Sequence, residues 1–192
     1  MYRKGGEVTL ISSKISRRYA KALFGIGRED GNYEAYGKCL EEFSRFCNEN
    51  ETFYRVISSK IFSTEERKNV LEAVLAKSDF PDVVKNFLRV LLDKDRIAAI
   101  ADITDYYRKL TDEVSNITRA RIITARPLKE DALEKLKQGL ERLTGKMVIP
   151  QVSEDGSLIG GVVVQIGDMV LDGSVKAQLE GLKESLKRGE YN

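Results

Sequence analysis

Residues 157–175 read SLIGGVVVQIGDMVLDGSV, in which four glycines and two aspartates punctuate two short apolar runs. Val162, Val164 and Ile166 alternate with Val163 and Gln165, the period of a half-buried strand. Gly167-Asp168 then suits a two-residue hairpin whose first central position needs positive φ, and Met169 to Leu171 form the returning strand. Asp172-Gly173-Ser174 closes the unit. Ser174 caps a helix that begins with Val175 and runs through Leu179, Leu182 and Leu186. The Gly160-Gly161 pair precedes a strand, so it reads as a place where the backbone bulges or approaches a neighbour closely.

Upstream the period is helical. From about Ser13 to Ser115 apolar residues recur at spacings of three and four between turn signals, which predicts a bundle of about six helices. The first places Ile15, Tyr19, Ala22, Leu23 and Ile26 on one face and stops near Gly27 to Gly31. A bundle needs such a face for its own core, roughly four residues in five. Tyr33, Tyr36, Leu40, Phe43 and Phe46 mark the second helix, and Phe53, Tyr54 and Ile57 a short third. Ser63-Thr64-Glu65-Glu66 is a capping box that starts the fourth. The fifth begins near Asp79 with Pro81 in its first turn, and Asp93-Lys94-Asp95 interrupts it. Its Val83, Phe87 and Val90 cannot share a face with Val84, Leu88, Leu91 and Leu92, so it is either central or partner-binding. The sixth runs from about Arg96 to Val114.

After Asn116 the period becomes alternating, with Thr118, Ala120, Ile122 and Thr124 on one side of a strand and Arg119 and Arg121 on the other. Leu128 to Leu143 reads as a helix stopped by Gly145, and Met147 to Val152 as a strand whose Pro150 demands an edge or a bulge. The predicted fold is therefore α+β: a six-helix bundle over residues 1–115, then a small β-α-β-β-α domain over residues 116–192.

Composition excludes more than it suggests. The chain has 192 residues, 42% of them hydrophobic, enough for one large core or two small ones. Lys and Arg number 32 against 30 Asp and Glu, split 20 to 19 through residue 115 and 12 to 11 after it, so no strongly basic domain points to nucleic acid. Histidine is absent, which removes the commonest general base and metal ligand. Cys39 and Cys47 lie eight apart in one predicted helix, about 12 Å at 1.5 Å per residue, too far for a disulfide. The opening MYRKGGEVTLISS has neither signal-peptide nor transit-peptide character, and no apolar run approaches a membrane span. Membrane association is expected only through partners.

Candidate chemistry does not assemble. The stretch from Gly139 to Gly145-Lys146 has the wrong spacing for a phosphate loop, and Met147 stands where a magnesium-binding hydroxyl belongs. Asp168 and Asp172 read as turn and helix-dipole residues rather than paired catalytic carboxylates. Arg119 and Arg121 read as a solvated strand face. No nucleophile, base and orienting group converge, and no cofactor or metal is expected.

Three segments carry a resemblance. Gly160-Gly161, Ile166-Gly167-Asp168 and Asp172-Gly173-Ser174 resemble, in order and spacing, the C-terminal signature of the delta subunit family of F-type ATP synthases, which includes the mitochondrial oligomycin-sensitivity-conferring protein. Arg18-Tyr19-Ala20-Lys21-Ala22-Leu23-Phe24 is similar to that family's first helix, and Asn86-Phe87-Leu88-Arg89-Val90-Leu91 with Arg96 to its fifth. The likeness spans roughly residues 12 to 188 and leaves the opening MYRKGGEVTLI outside it.

The resemblance implies a non-catalytic stator connector, present as a single copy in a hetero-oligomer at the cytoplasmic face of a bacterial membrane and supporting proton-driven ATP synthesis. It implies that helices one and five hold the amphipathic N-terminal helix of an alpha subunit, with Tyr19, Ala22, Leu23, Ile26, Phe87, Leu88 and Leu91 as contacts or groove support. It also implies that the C-terminal domain meets the C-terminal ends of the peripheral-stalk b subunits, while Gly160, Gly161, Gly167, Asp168, Asp172, Gly173 and Ser174 build that domain's shape. Two other classes compete: an RNA-binding helical adaptor, opposed by the charge balance, and a small phosphoryl-transfer enzyme, opposed by the broken phosphate loop.

Overall fold

The computed structural model describes residues 5–188; residues 1–4, where the stretch read for leader character begins, lie outside them. Six helices come first: α1 (Gly5–Glu29), α2 (Tyr33–Glu49), α3 (Glu51–Ser58), α4 (Thr64–Leu75), α5 (Asp82–Asp93) and, after a single 3-10 turn, α6 (Ile100–Val114). Then follow β1 (Ile117–Thr124), α7 (Glu130–Thr144), β2 (Met147–Glu154), β3 (Val162–Ile166), β4 (Met169–Asp172) and α8 (Val175–Arg188). The class is α+β, in the predicted order of elements. The chain divides into two compact units between Thr111 and Asp112, within α6 and a few residues ahead of the change of period at Asn116.

The first unit is organised around Tyr107, which is fully buried. Its hydroxyl donates to the Tyr33 carbonyl oxygen at 2.8 Å, and its ring meets Phe24 edge-on with centroids 5.5 Å apart. Burial pushes its phenol pKa up. Leu40, Ile57, Leu88, Leu91 and Ile103 pack with it at no more than 1% exposure. The predicted capping box is present: Ser63 Oγ accepts from the Glu66 amide at 3.2 Å, and the Glu66 carboxylate accepts from the Ser63 amide at 2.8 Å.

Several boundaries differ from the sequence reading, among them the start of α6 at Ile100 rather than near Arg96 and the end of β2 at Glu154 rather than Val152. Helix α1 begins at Gly5, so most of the unexplained N-terminal extension continues the first helix. Pro81 is the N-cap of α5 rather than part of its first turn; its carbonyl accepts from Val84 and Lys85, and the helix starts at Asp82. Helix α7 starts at Glu130, because Lys129 holds an extended N-cap geometry; Leu128 packs on the sheet from just outside the helix.

In the second unit the strand order is β2-β1-β3-β4. Strands β1 and β2 run parallel through the α7 crossover, which places Leu133, Leu136 and Leu140 over Ala120, Ile122, Val148 and Val164. Strand β2 is an edge, the position that tolerates Pro150. Strands β3 and β4 form the predicted hairpin, with Ile166 opposite Met169 and Gly167 at φ 57 between them.

Candidate partner-binding site

The buried face of α1 is not the one its large apolar residues suggest. Ser16, Ala20, Leu23 and Phe24 are buried, and Gly27 with them. Small side chains let neighbouring backbones come close: a Cβ on Gly27 would lie 2.8 Å from Tyr33 Cα and 3.1 Å from the Tyr107 hydroxyl. Of the expected core face only Leu23 is fully buried, so the estimate of four core residues in five is corrected. Ile15 and Tyr19 are half-buried, Ala22 is exposed and Ile26 is 47% exposed.

Helix α5 divides in the same way. Val84, Leu88, Leu91 and Leu92 are fully buried, while Val83 and Phe87 are half-buried and Val90 is 45% exposed. The two leftover stripes meet where Tyr19 and Phe87 stack edge-on, with centroids 6.4 Å apart. The result is an apolar strip on two adjacent helices, lined by Tyr19, Ala22, Ile26, Val83, Phe87 and Val90. Leu23, Leu88 and Leu91 are buried in the core of the unit. Val83 and Val90 escaped the residue-by-residue transfer from the family pattern, although the split of apolar faces on α5 had already set them apart.

Salt bridges hold α5 in place. Arg89 grips Glu72 of α4 with two hydrogen bonds of 2.6 and 2.8 Å, which lowers the carboxyl pKa. Beyond its C-terminal end, Asp95 accepts from the buried Arg67 at 2.8 Å and stands at φ 54. That guanidinium holds the Asp95 carboxyl below its ordinary range. The α1 side of the strip is basic. From Lys14 to Glu29 the helix exposes Lys14, Arg17, Arg18, Lys21 and Arg28 against one acid, Glu29. Arg18 lies over the Tyr19 ring, 5.5 Å from its centroid.

In the second unit the signature residues form a latch between strand and helix. Gly161 has φ 84, and a Cβ there would sit 2.3 Å from the Gly173 carbonyl oxygen. A Cβ on Gly160 would press on Val175 Cγ2 at 3.1 Å. The Gly173 amide donates to Val162 O at 2.9 Å and the Val175 amide to Gly160 O at 3.0 Å. The Asp172 carboxylate accepts from the Ser174 amide at 2.9 Å, and Ser174 Oγ caps α8 by accepting from Ala177 N at 3.1 Å. Asp168 stays exposed in the hairpin turn. Arg119 is not simply solvated, since it holds Asp112 at 2.6 and 3.0 Å.

Beside the latch, Met169, Val170, Leu171, Leu179, Leu182 and Leu186 are each at least 41% exposed. Among the described residues no group of three or more His, Cys, Asp or Glu is placed to hold a metal ion. Cys47 is buried in the first core, where desolvation pushes its thiol up to about 12.

Known proteins resemble this chain over most of its length. Residues 15–186 match the family model described as ATP synthase delta (OSCP) subunit. The ATP synthase subunit delta of Desulforapulum autotrophicum is 45% identical over 179 residues, covering 93% of this chain and 98% of that one. That of Desulfatibacillum aliphaticivorans is 45% identical over 177 residues, covering 92% and 97%. A chain of the Toxoplasma gondii mitochondrial ATP synthase hexamer, solved by cryo-EM, shares the fold with a TM-score of 0.69 at 22% identity, over 89% of this chain and 96% of its own.

Proposed function

The chain belongs to the ATP synthase delta (OSCP) subunit family, non-catalytic stator components that link the catalytic head to the peripheral stalk, and from that premise we propose which surface serves each end. The helical unit holds the amphipathic N-terminal helix of an alpha subunit in the strip between α1 and α5. The second unit meets the C-terminal ends of the b subunits through its exposed apolar residues. One copy serves each complex, at the cytoplasmic face of the membrane, and it reaches the bilayer only through partners. No helix among the described residues is long and apolar enough to cross a membrane.

The observation that carries the groove assignment is the junction of two half-buried stripes at Tyr19 and Phe87. Apolar side chains that a completed core leaves on two adjacent helices suit a third helix laid between them, with anchors spaced three and four apart. The basic edge of α1 adds a direction to that docking. Carboxylates on the partner helix belong on the side of Lys14, Arg18 and Lys21, where they speed encounter and fix register.

Calorimetry of the full-length protein with a peptide of the alpha N-terminal helix from the same genome tests this. One-to-one binding is expected, weakened by Ala22→Asp and by added salt. Ala22 is exposed, so the variant keeps the thermal melt of the parent. Binding that Ala22→Asp leaves untouched removes the groove assignment.

A further inference from the structure

Helix α5 has two apolar faces and a third flank that carries charge. At about 100° per residue, the core leucines with Val84, the strip residues Val83, Phe87 and Val90, and the pair Arg89 and Asp93 lie roughly a third of a turn from one another. Turning the helix by that third would carry Phe87 and its neighbours inward and still bury apolar side chains. Hydrophobicity alone therefore leaves the rotation of α5 weakly chosen.

The charged flank makes the choice. Lys68 and Glu72 stand about one turn apart on α4, and Arg89 and Asp93 about one turn apart on α5. Arg89 Nε and Nη2 donate to the Glu72 carboxylate at 2.6 and 2.8 Å, and Lys68 Nζ lies 2.8 Å from Asp93 Oδ1. Within α5, Arg89 Nη1 also donates to Asn86 Oδ1 at 2.7 Å, which steadies the guanidinium. The signs alternate along both helices, and the pairing order shows that the helices run antiparallel. A slip of one turn, about 5.4 Å, would set Arg89 against Lys68 or Asp93 against Glu72. Like charges then meet whichever way α5 moves. The four side chains are 39% to 48% exposed, so each pair contributes little stability in itself. What the alternation supplies is discrimination between registers. The ring centroids of Tyr19 and Phe87 are 6.4 Å apart, so a slip of that size would part the two halves of the strip.

We propose that Lys68, Glu72, Arg89 and Asp93 are positioning residues for the partner-binding strip: they touch no partner, and they fix the register and rotation in which α5 presents Phe87 and Val90 beside α1. The inference rests on the proposed docking of an alpha-subunit helix in that strip and adds what sets the strip's geometry.

The test uses the full-length protein and three readouts: the thermal melt, the nuclear Overhauser contact between the Tyr19 and Phe87 rings in the free protein, and calorimetric binding of the alpha N-terminal peptide. Arg89→Glu is expected to weaken the ring contact and to lower peptide affinity about two- to thirtyfold, the range for residues that act on a site without touching its ligand. Adding Glu72→Arg restores an attractive pair but leaves like signs in successive turns of each helix. That double variant is expected to recover the melt and not the affinity. Reversing all four charges, with Lys68→Glu, Glu72→Lys, Arg89→Glu and Asp93→Lys, restores the alternation and is expected to recover both the ring contact and the affinity. A double variant that binds as well as the fourfold one overturns the proposal, as do a ring contact and affinity that Arg89→Glu leaves unchanged. Arg89→Gln with Asp93→Asn removes the alternation without adding repulsion, which keeps the test decisive if a charge reversal unfolds the unit; parental ring contact in that variant also overturns the proposal. A ring contact that follows the charges while the parent binds no peptide leaves the positioning role standing and overturns the docking in the strip.

Discussion

The two units invert each other's balance of buried and exposed apolar residues. The helical unit buries nineteen apolar residues in one cluster, and the unit built on the sheet buries five. Among the described residues, the first exposes four large hydrophobics and the second twelve, when the chain is divided at Asp112. A unit that completes its own core can carry a recognition strip as surplus. One with a thin core leaves apolar surface that a partner would complete. On this contrast the second unit should melt first in the isolated protein and gain more stability from its binding partner than the first does.

The contrast can be broken most strongly from inside the first core. Leu88→Ala removes a fully buried side chain and should cost about 2–5 kcal/mol, read by denaturant titration. The same truncation at Leu182 should shift the isolated protein's stability by less than about 0.5 kcal/mol, because that leucine is already in solvent. Equal losses at the two positions would mean that α8 is packed and the contrast false.

Next in size is Gly161→Ala. It puts a Cβ against the Gly173 carbonyl at positive φ, and should cost about 1–3 kcal/mol, confined to the second unit's transition in calorimetry. Smaller again is Ser63→Ala, which removes the cap of α4 and should lower the first unit's stability by about 0.5–2 kcal/mol.

The smallest effect is a pH dependence. Asp95 is held below its ordinary 3.8 by the hydrogen bond from Arg67. Its folded pKa is thus lower than its unfolded one, and its contribution is complete above about pH 4 and lost as pH falls through the folded value. Asp95→Asn should flatten that part of the first unit's acid limb in melts between about pH 5 and pH 2. Asparagine tolerates the left-handed backbone at this position, so the substitution isolates the charge. An unchanged acid limb would place the acid sensitivity elsewhere.

Much of the second unit was legible because its constraints are local. Gly167 at the hairpin, Ser174 at the cap, Gly145 after α7 and Pro150 on an edge strand each do what their own chemistry dictates. The apolar strip of the first unit was legible only in part. Hydrophobicity patterns weigh large residues, whereas α1 packs on Ser16, Ala20 and Gly27, whose value lies in how near they let another backbone come. Of the residues read as a core face, Ala22 and Ile26 are thus exposed and Tyr19 is only half-buried against the core. The basic edge of α1 was hidden too, because charge summed over half the chain cancels what one helix concentrates. For α8 the run of leucines was legible in the sequence, but only the structure shows that they are exposed.

The latch at Gly161 and Ser174 also sets an order of events during synthesis. The cap residue is 1% exposed, and the first amide of α8, that of Val175, donates to the Gly160 carbonyl just ahead of β3. Helix α8 therefore has no foundation until the hairpin has paired, and the hairpin follows a parallel crossover, which is slow to close. The helical unit leaves the ribosome first and is built largely of local contacts. It should therefore be complete while the second unit is still an unfinished chain. Protease challenge of ribosome-bound chains of increasing length would show this as protection of the first unit well before residues 160–175 become resistant.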